Sequence, residues 1–402
     1  MKHYRELLRA EPVLRRLSLI QTIAYFAAWF SNVAIYTLLI QLDADPGLIA
    51  LTAALHFLPG VVQAPFSGSL IDRYAPKRLM LALMGIEIAA TLPLMLINDA
   101  SQIWLLFVLV FVRMGASSFY FTLEMSLLPR ILKHSSLKAA NEIHSIIWSF
   151  SYTLGMAVSG FVVYLVGVKA AFFIDALLFT VAVALLWNLL LPPRPEEERE
   201  GYWTMMRQSI AYLKKTPLVR HLILLHAFVG FTAFDALVAM MVETYYMPAV
   251  ATALGIGLLH ASRALGLVAG PVLLGRWISN RRLVALLFFQ GVAILLWAAV
   301  AEYFYLSLLA SVGVGLGTTT LWSYTYTLLQ HHTDTKYYGR VVAYNDMMFL
   351  LTVALVSLLV GFLAEAGVGI PVITALLGSA FIVGGFYLIW IARRYDLKEI
   401  SA

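Results

Sequence analysis

"GSLIDRYAPKRL", residues 68–79, sets Asp72, Arg73, Lys77 and Arg78 within seven residues between two long apolar runs. The chain is 61% hydrophobic and only 12% charged, so a knot of charge at this place has a cause. With 402 residues, a mean hydropathy of +0.84 and apolar runs longer than the ~20 residues that cross a hydrocarbon core, the sequence is that of a polytopic helical membrane protein. The charged stretch is then a loop at the membrane surface, and its flanks are spans.

Working outward, spans fall near 16–42, 47–71, 78–97, 102–128, 137–166, 169–191, 218–247, 251–275, 282–301, 303–329, 338–365 and 368–392, which predicts twelve transmembrane helices. If the N-terminus lies inside, all 28 Lys and Arg fall on cytoplasmic segments except Lys169, Arg113 and Arg263. The positive-inside rule therefore predicts a multi-pass protein of a bacterial-type inner membrane with both termini cytoplasmic. The net charge of +6 follows from that topology and implies no nucleic-acid partner. "MKHYRELLRAEPVLRR" has no small-residue cleavage site and reads as a retained segment rather than a signal peptide. The absence of cysteine excludes disulfides and thiolate metal sites.

"LPPRPEEEREGYWTMMRQSIAYLKKTP" combines proline breaks, an acidic run at Glu196–Glu200 and a short amphipathic stretch. It divides the chain into a six-helix bundle over 1–191, a cytoplasmic linker over 192–217 and a second six-helix bundle over 218–402. The halves open alike: "EPVLRRLSLIQ" at 11–21 and "TPLVRHLILLH" at 216–226 align at an offset of 205, and Asn141-Glu142 aligns with Asn345-Asp346 at an offset of 204. Internal duplication accounts for both matches.

The opening stretch resembles the loop between helices 2 and 3 of the major facilitator superfamily, G-x-x-x-D-R-x-x-x-[KR]-[KR], with Gly68, Asp72, Arg73, Lys77 and Arg78 in register. Its counterpart "PVLLGRWISNRR" keeps Arg276, Arg281 and Arg282 but has Gly275 where the first half has Asp72. "FVRMG" with "SLLPRIL", "AANEIHSIIWSFSYTLG", "FFIDALLF" and "YGRVVAYND" extend the likeness over nearly the whole chain, toward the branch of macrolide-efflux and enterobactin-exporter proteins. The resemblance implies an all-α fold of twelve helices in two pseudo-symmetric six-helix bundles, alternating access, and no cofactor. In the loop, Gly68 allows close helix approach and Asp72 can accept hydrogen bonds from a facing helix terminus or from Arg73, forming a gating latch; Lys77 and Arg78 suit a topogenic anchor.

Helical spacing picks out candidate cavity residues. Gln21, Tyr25, Ala28, Asn32 and Tyr36 form a polar-aromatic stripe on helix 1; Arg113, Ser117, Tyr120 and Glu124 share a face of helix 4; Thr318, Trp322 and Thr325, with Tyr326 beside them, lie on helix 10. The resemblance implies that helices 1, 4, 7 and 10 line the cavity. Of the acids on those helices, Asp235 lies near mid-membrane, Glu124 near the cytoplasmic end and Glu243 toward the outside. Asp235 is the expected proton carrier, with Glu124 next; Arg113 resembles a coupling arginine of related antiporters or is a buried structural partner. Glu87 and Asp175, on helices expected at the periphery, read as structural. His56, His144, His226 and His260 are scattered without metal-ligand spacing.

The chain departs from the branch at Ala27-Ala28, where Gly-Asp is frequent, at Gly155-Met156, where antiporters often carry Gly-Pro, and at Thr122, in place of a frequent proline. No G-x-S-x-G, H-E-x-x-H or phosphate-binding loop is present, so an enzyme is not expected. The sequence predicts a monomeric secondary transporter in the lipid bilayer that exports an amphipathic organic molecule, drug-like or siderophore-like, against protons. A lysolipid or lipid flippase on the same scaffold is the alternative, ahead of a metal-ion exporter.

Overall fold

The computed structural model describes residues 2–191, 202–275, 277–334 and 337–397. Hydrocarbon cannot satisfy backbone polar groups, so a chain of this composition must bond its backbone within helices. Among the described residues eleven helical stretches are long and apolar enough to cross a bilayer. One of them, Ile146–Trp187, has 42 residues, enough for two crossings. It belongs to α6 (His134–Trp187), which is broken at Gly167, where φ is 84° and ψ is 168°, a conformation that glycine adopts without a Cβ penalty. Divided there into arms over 134–166 and 168–187, α6 supplies two spans and the crossings number twelve, as the sequence predicts.

The other helices follow in chain order. A short α1 (Lys2–Ala10) precedes α2 (Pro12–Gln41), α3 (Pro46–Arg73), α4 (Pro76–Thr91) and α5 (Ile103–Ile131). After α6 come the linker helix α7 (Tyr202–Lys215), then α8 (Pro217–Ala227) and α9 (Asp235–Met241), which form one interrupted crossing. The remainder are α10 (Thr252–Leu274), α11 (Asn280–Ala299), α12 (Phe304–His331), α13 (Tyr338–Glu365) and α14 (Ile370–Arg394). Proline stands in the first turn of α2, α4, α8 and α14, where its missing N–H costs no helical bond.

Packing divides the chain into two compact units. The first takes Met1–Ala44, Val62–Glu197 and Ala251–Ala261; the second takes Asp45–Val61, Glu198–Val250 and Ser262–Ala402. The division assigns the start of α3 to the second unit and the start of α10 to the first. Leu17, Ile20 and Ala24 of α2, Phe119 and Leu123 of α5 and Ile147 and Phe179 of α6 form the core of the first unit. Side chains such as Leu190, Val272 and Tyr305 are largely exposed, and this apolar exterior suits lipid rather than water.

In the second unit α10 and α12 cross backbone to backbone. A Cβ at Gly315 would meet the Arg263 carbonyl, lie 2.9 Å from the Leu267 nitrogen and 3.0 Å from Gly266 Cα. Two residues away, on another face of α12, a Cβ at Gly313 would meet nothing within 4 Å. Gly315→Ala is expected to lower the thermal unfolding midpoint, at an overpacking cost of ~1–3 kcal/mol. Gly313→Ala should leave the midpoint unchanged or raise it, since alanine favours the helix by up to ~1 kcal/mol. Equal midpoints for the two variants would refute this account of the crossing.

Candidate functional site

The polar stripe of α2 is buried. Gln21, Tyr25, Asn32 and Tyr36 all face inward, and Tyr25 meets the inner face of α5. The Tyr25 hydroxyl donates to Glu124 Oε2 at 3.2 Å, and its ring lies against Tyr120 edge to face and stacks on Phe121, with centroids 6.3 and 6.2 Å away. Gln21 Nε2 is hydrogen-bonded to His144 Nδ1 on α6, whose ring packs on Tyr25 and on Phe121 at 5.9 and 5.0 Å. Glu124 is 1% exposed and makes no ion pair among the described residues; its Oε1 and the Tyr120 hydroxyl have no hydrogen-bond partner. A carboxylate is thus held in an aromatic nest with one hydroxyl and, among the described residues, no cation.

The aromatic surface continues along α2 and α6. Trp148 stacks on Tyr152 with centroids 5.6 Å apart, and Trp29 packs edge to face on both. Phe121 and Trp148 remain exposed, so the nest has an open apolar edge. Trp29, His144 and Trp148 were absent from the sequence candidates. Their signal lies in i, i+4, i+8 spacing: Gln21, Tyr25 and Trp29 on α2, and His144, Trp148 and Tyr152 on α6.

Deeper in the same unit, Arg113 of α5 bridges two acids. Its Nε lies 3.1 Å from Glu87 Oε2 on α4, and its Nη2 lies 2.9 Å from Asp175 Oδ2 on the second arm of α6. The same Nη2 donates to the carbonyls of Ala28 and Ala27 at 3.1 and 3.5 Å, and the Ser31 hydroxyl donates to Asp175. All three charged side chains are within 3% of full burial.

In the second unit the crossing that carries Asp235 is interrupted. After α8 the chain tightens into a 3-10 turn over Phe228–Thr232 and leaves helical geometry at Ala233, and α9 starts at Asp235. Arg263 of α10 answers the break: its Nη2 donates to the Thr232 carbonyl at 3.2 Å and its guanidinium lies 4.9 Å from the Phe234 ring. Asp235 is buried beside this cation and interacts with it electrostatically. A second aromatic group forms around His226, whose Nδ1 is 2.8 Å from Thr325 Oγ1 and whose ring packs on Trp322, Tyr326 and Phe349. Trp322, which is exposed, stacks on Tyr326 at 5.0 Å. Thr318 instead accepts from Gln290 of α11.

Of the gating motif, the side chains of Gly68, Asp72 and Arg73 lie outside the described residues. Lys77 donates from Nζ to the Trp187 carbonyl at 2.6 Å, capping the end of α6, and Arg78 is exposed.

The sequence model of the Major Facilitator Superfamily matches residues 17–250, more than half of the chain. The chain belongs to this superfamily of membrane transporters and is not an enzyme. It is 27% identical to the MFS-type transporter YfiS of Bacillus subtilis over 219 residues, which cover 53% of this chain and about half, 52%, of that protein. It is 21% identical to macrolide efflux protein A of Streptococcus pyogenes over 400 residues, 94% of this chain and 96% of that protein. Among solved structures, a D-xylose-proton symporter superposes with a TM-score of 0.74 at 10% identity, over 93% of this chain and 96% of that one. The nucleoside transporter NupG superposes with 0.70 at 13% identity, over 96% of this chain and 100% of that one. At such identities the superpositions show a shared fold.

Arg113 joins four helical segments, α2, α4, α5 and the second arm of α6, and its loss strands two buried acids. Arg113→Met is expected to destabilise the protein by ~3–5 kcal/mol, read as a lower unfolding midpoint in detergent. Glu87→Gln should cost far less, and a midpoint for Arg113→Met at or above that of Glu87→Gln would overturn this ranking.

Proposed function

We propose that this superfamily member is a proton-coupled exporter of an amphipathic organic molecule, working as a monomer by alternating access in a bacterial-type cytoplasmic membrane with both termini inside. One observation carries the reading: Glu124 is a buried carboxylate with a hydroxyl partner and no ion pair among the described residues, set in a nest of aromatic rings that is open at Phe121 and Trp148. A carboxylate buried without a cation takes up a proton rather than remain charged, so Glu124 holds a proton until something cationic replaces it. A cation lying on the faces of Tyr25, Phe121 and Trp148 is such a replacement. Proton release and cation binding then exclude each other, which is the elementary step of antiport.

Asp235 is the second candidate. It is ranked below Glu124 because a cation, Arg263, already lies beside it. Arg113 enters the coupling scheme through the acids it holds. Gln21, Tyr25 and Tyr120 in the first unit, and Trp322 and Tyr326 in the second, are the proposed substrate contacts. Asn32 and Tyr36, on the same stripe, are fully buried. Gly68, Asp72 and Arg73 are the proposed latch, with Lys77 and Arg78 anchoring its loop. Export rather than uptake is favoured by the likeness to a protein named for macrolide efflux.

Purified protein in liposomes, loaded with a radiolabelled macrolide and given a proton gradient, is expected to move the label uphill. Glu124→Gln should slow gradient-driven movement by about tenfold or more, equivalent to ~1.4 kcal/mol, and leave downhill exchange measurable. Asp235→Asn should have the smaller effect. Wild-type driven transport by Glu124→Gln would remove Glu124 from the mechanism, and gradient-independent movement of a labelled lysolipid would replace the exporter reading with a lipid carrier.

Orientation has its own test, in a chain without native cysteine. Single cysteines at Ser101 and Tyr303, both exposed, should react with an impermeant maleimide added to whole cells, and one at Lys214 should react only after lysis. Ser209, although also in the linker helix, is fully buried and is a poor probe. The reverse labelling pattern would invert the topology.

A further inference from the structure

The Arg113 cluster does not balance its charge. Three ionised groups, Arg113, Glu87 and Asp175, sum to a net negative charge in a place where the three side chains are between 0% and 3% exposed. Among the described residues, the groups that face them supply no second cation. On α2 they are the Ala27 and Ala28 carbonyls and the Ser31 hydroxyl; on α5, Ser117 beside Glu87; on α4 and α6, the two acids themselves, whose charged neighbours are Arg113 and each other. Both carboxyls also keep one oxygen without a hydrogen-bond partner, Glu87 Oε1 and Asp175 Oδ1. An isolated ionised carboxylate in low dielectric takes up a proton rather than remain charged, and two carboxylates sharing one cation hold that proton between them.

We propose that Arg113, Glu87 and Asp175 form a proton-binding site, distinct from Glu124, in which one proton from water is held by the two carboxyls and converts one carboxylate into a carboxylic acid. With that proton bound the cluster is neutral, and Arg113 has donor capacity left for the carbonyls of Ala27 and Ala28 on α2. When the proton returns to water, both carboxylates are ionised and compete for the guanidinium, including the Nη1 that now has no partner. The competition is at the expense of the α2 carbonyls, so the protonation state sets how firmly α2 is tied to α5. This inference does not depend on the exporter reading.

Infrared spectra of the full-length protein at neutral pH count the protonated carboxyls through their acid carbonyl stretch. Wild type minus Glu87→Gln should show the loss of one acid band, and wild type minus Asp175→Asn should show the loss of one as well, because either amide leaves the remaining acid ionised against Arg113. The cluster contribution thus falls from one carboxyl to none in both variants. Arg113→Met, where it folds, should raise it from one to two. The band of Glu124, removed by Glu124→Gln, should be additive with these changes. If neither amide variant alters the acid band, both carboxylates are ionised in the native protein and the site does not exist. An acid band that is absent in sodium buffer and present in choline buffer would assign the balancing charge to a bound metal cation and equally overturn the proposal.

Discussion

Hydrocarbon donates and accepts no hydrogen bonds, and the protein's interior polar groups are arranged around that fact. Where the helical ladder is intact nothing further is required. Where it fails, an arginine supplies what water would supply in a soluble fold. The break after α8 leaves the Thr232 carbonyl outside helical bonding, and Arg263 reaches it while its charge rests on Phe234. Within the unbroken α2 the Ala27 and Ala28 carbonyls take a further hydrogen bond from Arg113, which there answers the acids around it rather than a break in the ladder. At the surface, where headgroups and water take over, basic side chains meet carbonyls more simply, as Lys77 does at the α6 end with Trp187 and Arg282 does in the turn after α10 with Trp277.

Duplication shows in these needs more plainly than in the residues that meet them. The repeat offset of 205 carries Ala27 onto Thr232 and Gln21 onto His226. At the first pair of positions each unit directs an intramembrane arginine to a carbonyl, yet one arginine comes from α5 and the other from α10. At the second, Gln21 bonds the imidazole of His144, and His226 is itself the imidazole and bonds Thr325. In both units this polar contact is walled by aromatic rings, Tyr25 and Phe121 in one, Trp322 and Tyr326 in the other. Each unit thus holds a polar contact within an aromatic wall, and different side chains make it.

The fold was legible because hydropathy and charge act along one dimension. The apolar runs gave all twelve crossings, and Gly167 falls in the gap expected between the fifth and sixth. The site was legible only where a helix is polar on one face, as on α2 and α5. Glu87 and Asp175 each stand alone on helices that are apolar all round, so no stripe tells which way they point, and the expectation of a peripheral position left them without a partner. Their inward direction is set by Arg113, which is distant from both in sequence. His144 was read as one of several scattered histidines for the same reason. Its companion Gln21 lies on another helix, and periodicity within a helix says nothing about pairing between helices.

The departure at Ala27-Ala28 acquires a physical meaning in this arrangement. The sequence branch that this chain resembles often has an acid in the middle of the first crossing, and here the position offers only backbone carbonyls. Arg113 still comes to that position, and a cation brought so deep requires anionic compensation within a few ångströms. The compensation comes from α4 and α6 instead, through Glu87 and Asp175, and it overshoots, since two carboxylates answer one guanidinium. Moving the acid off the first crossing thus removes charge from α2 without removing it from the unit. On the proposed reading, α2 is then free to present Tyr25 and Gln21 to a substrate, with Glu124 as the acid beside them, and the charge that governs its attachment to α5 is stored one layer behind.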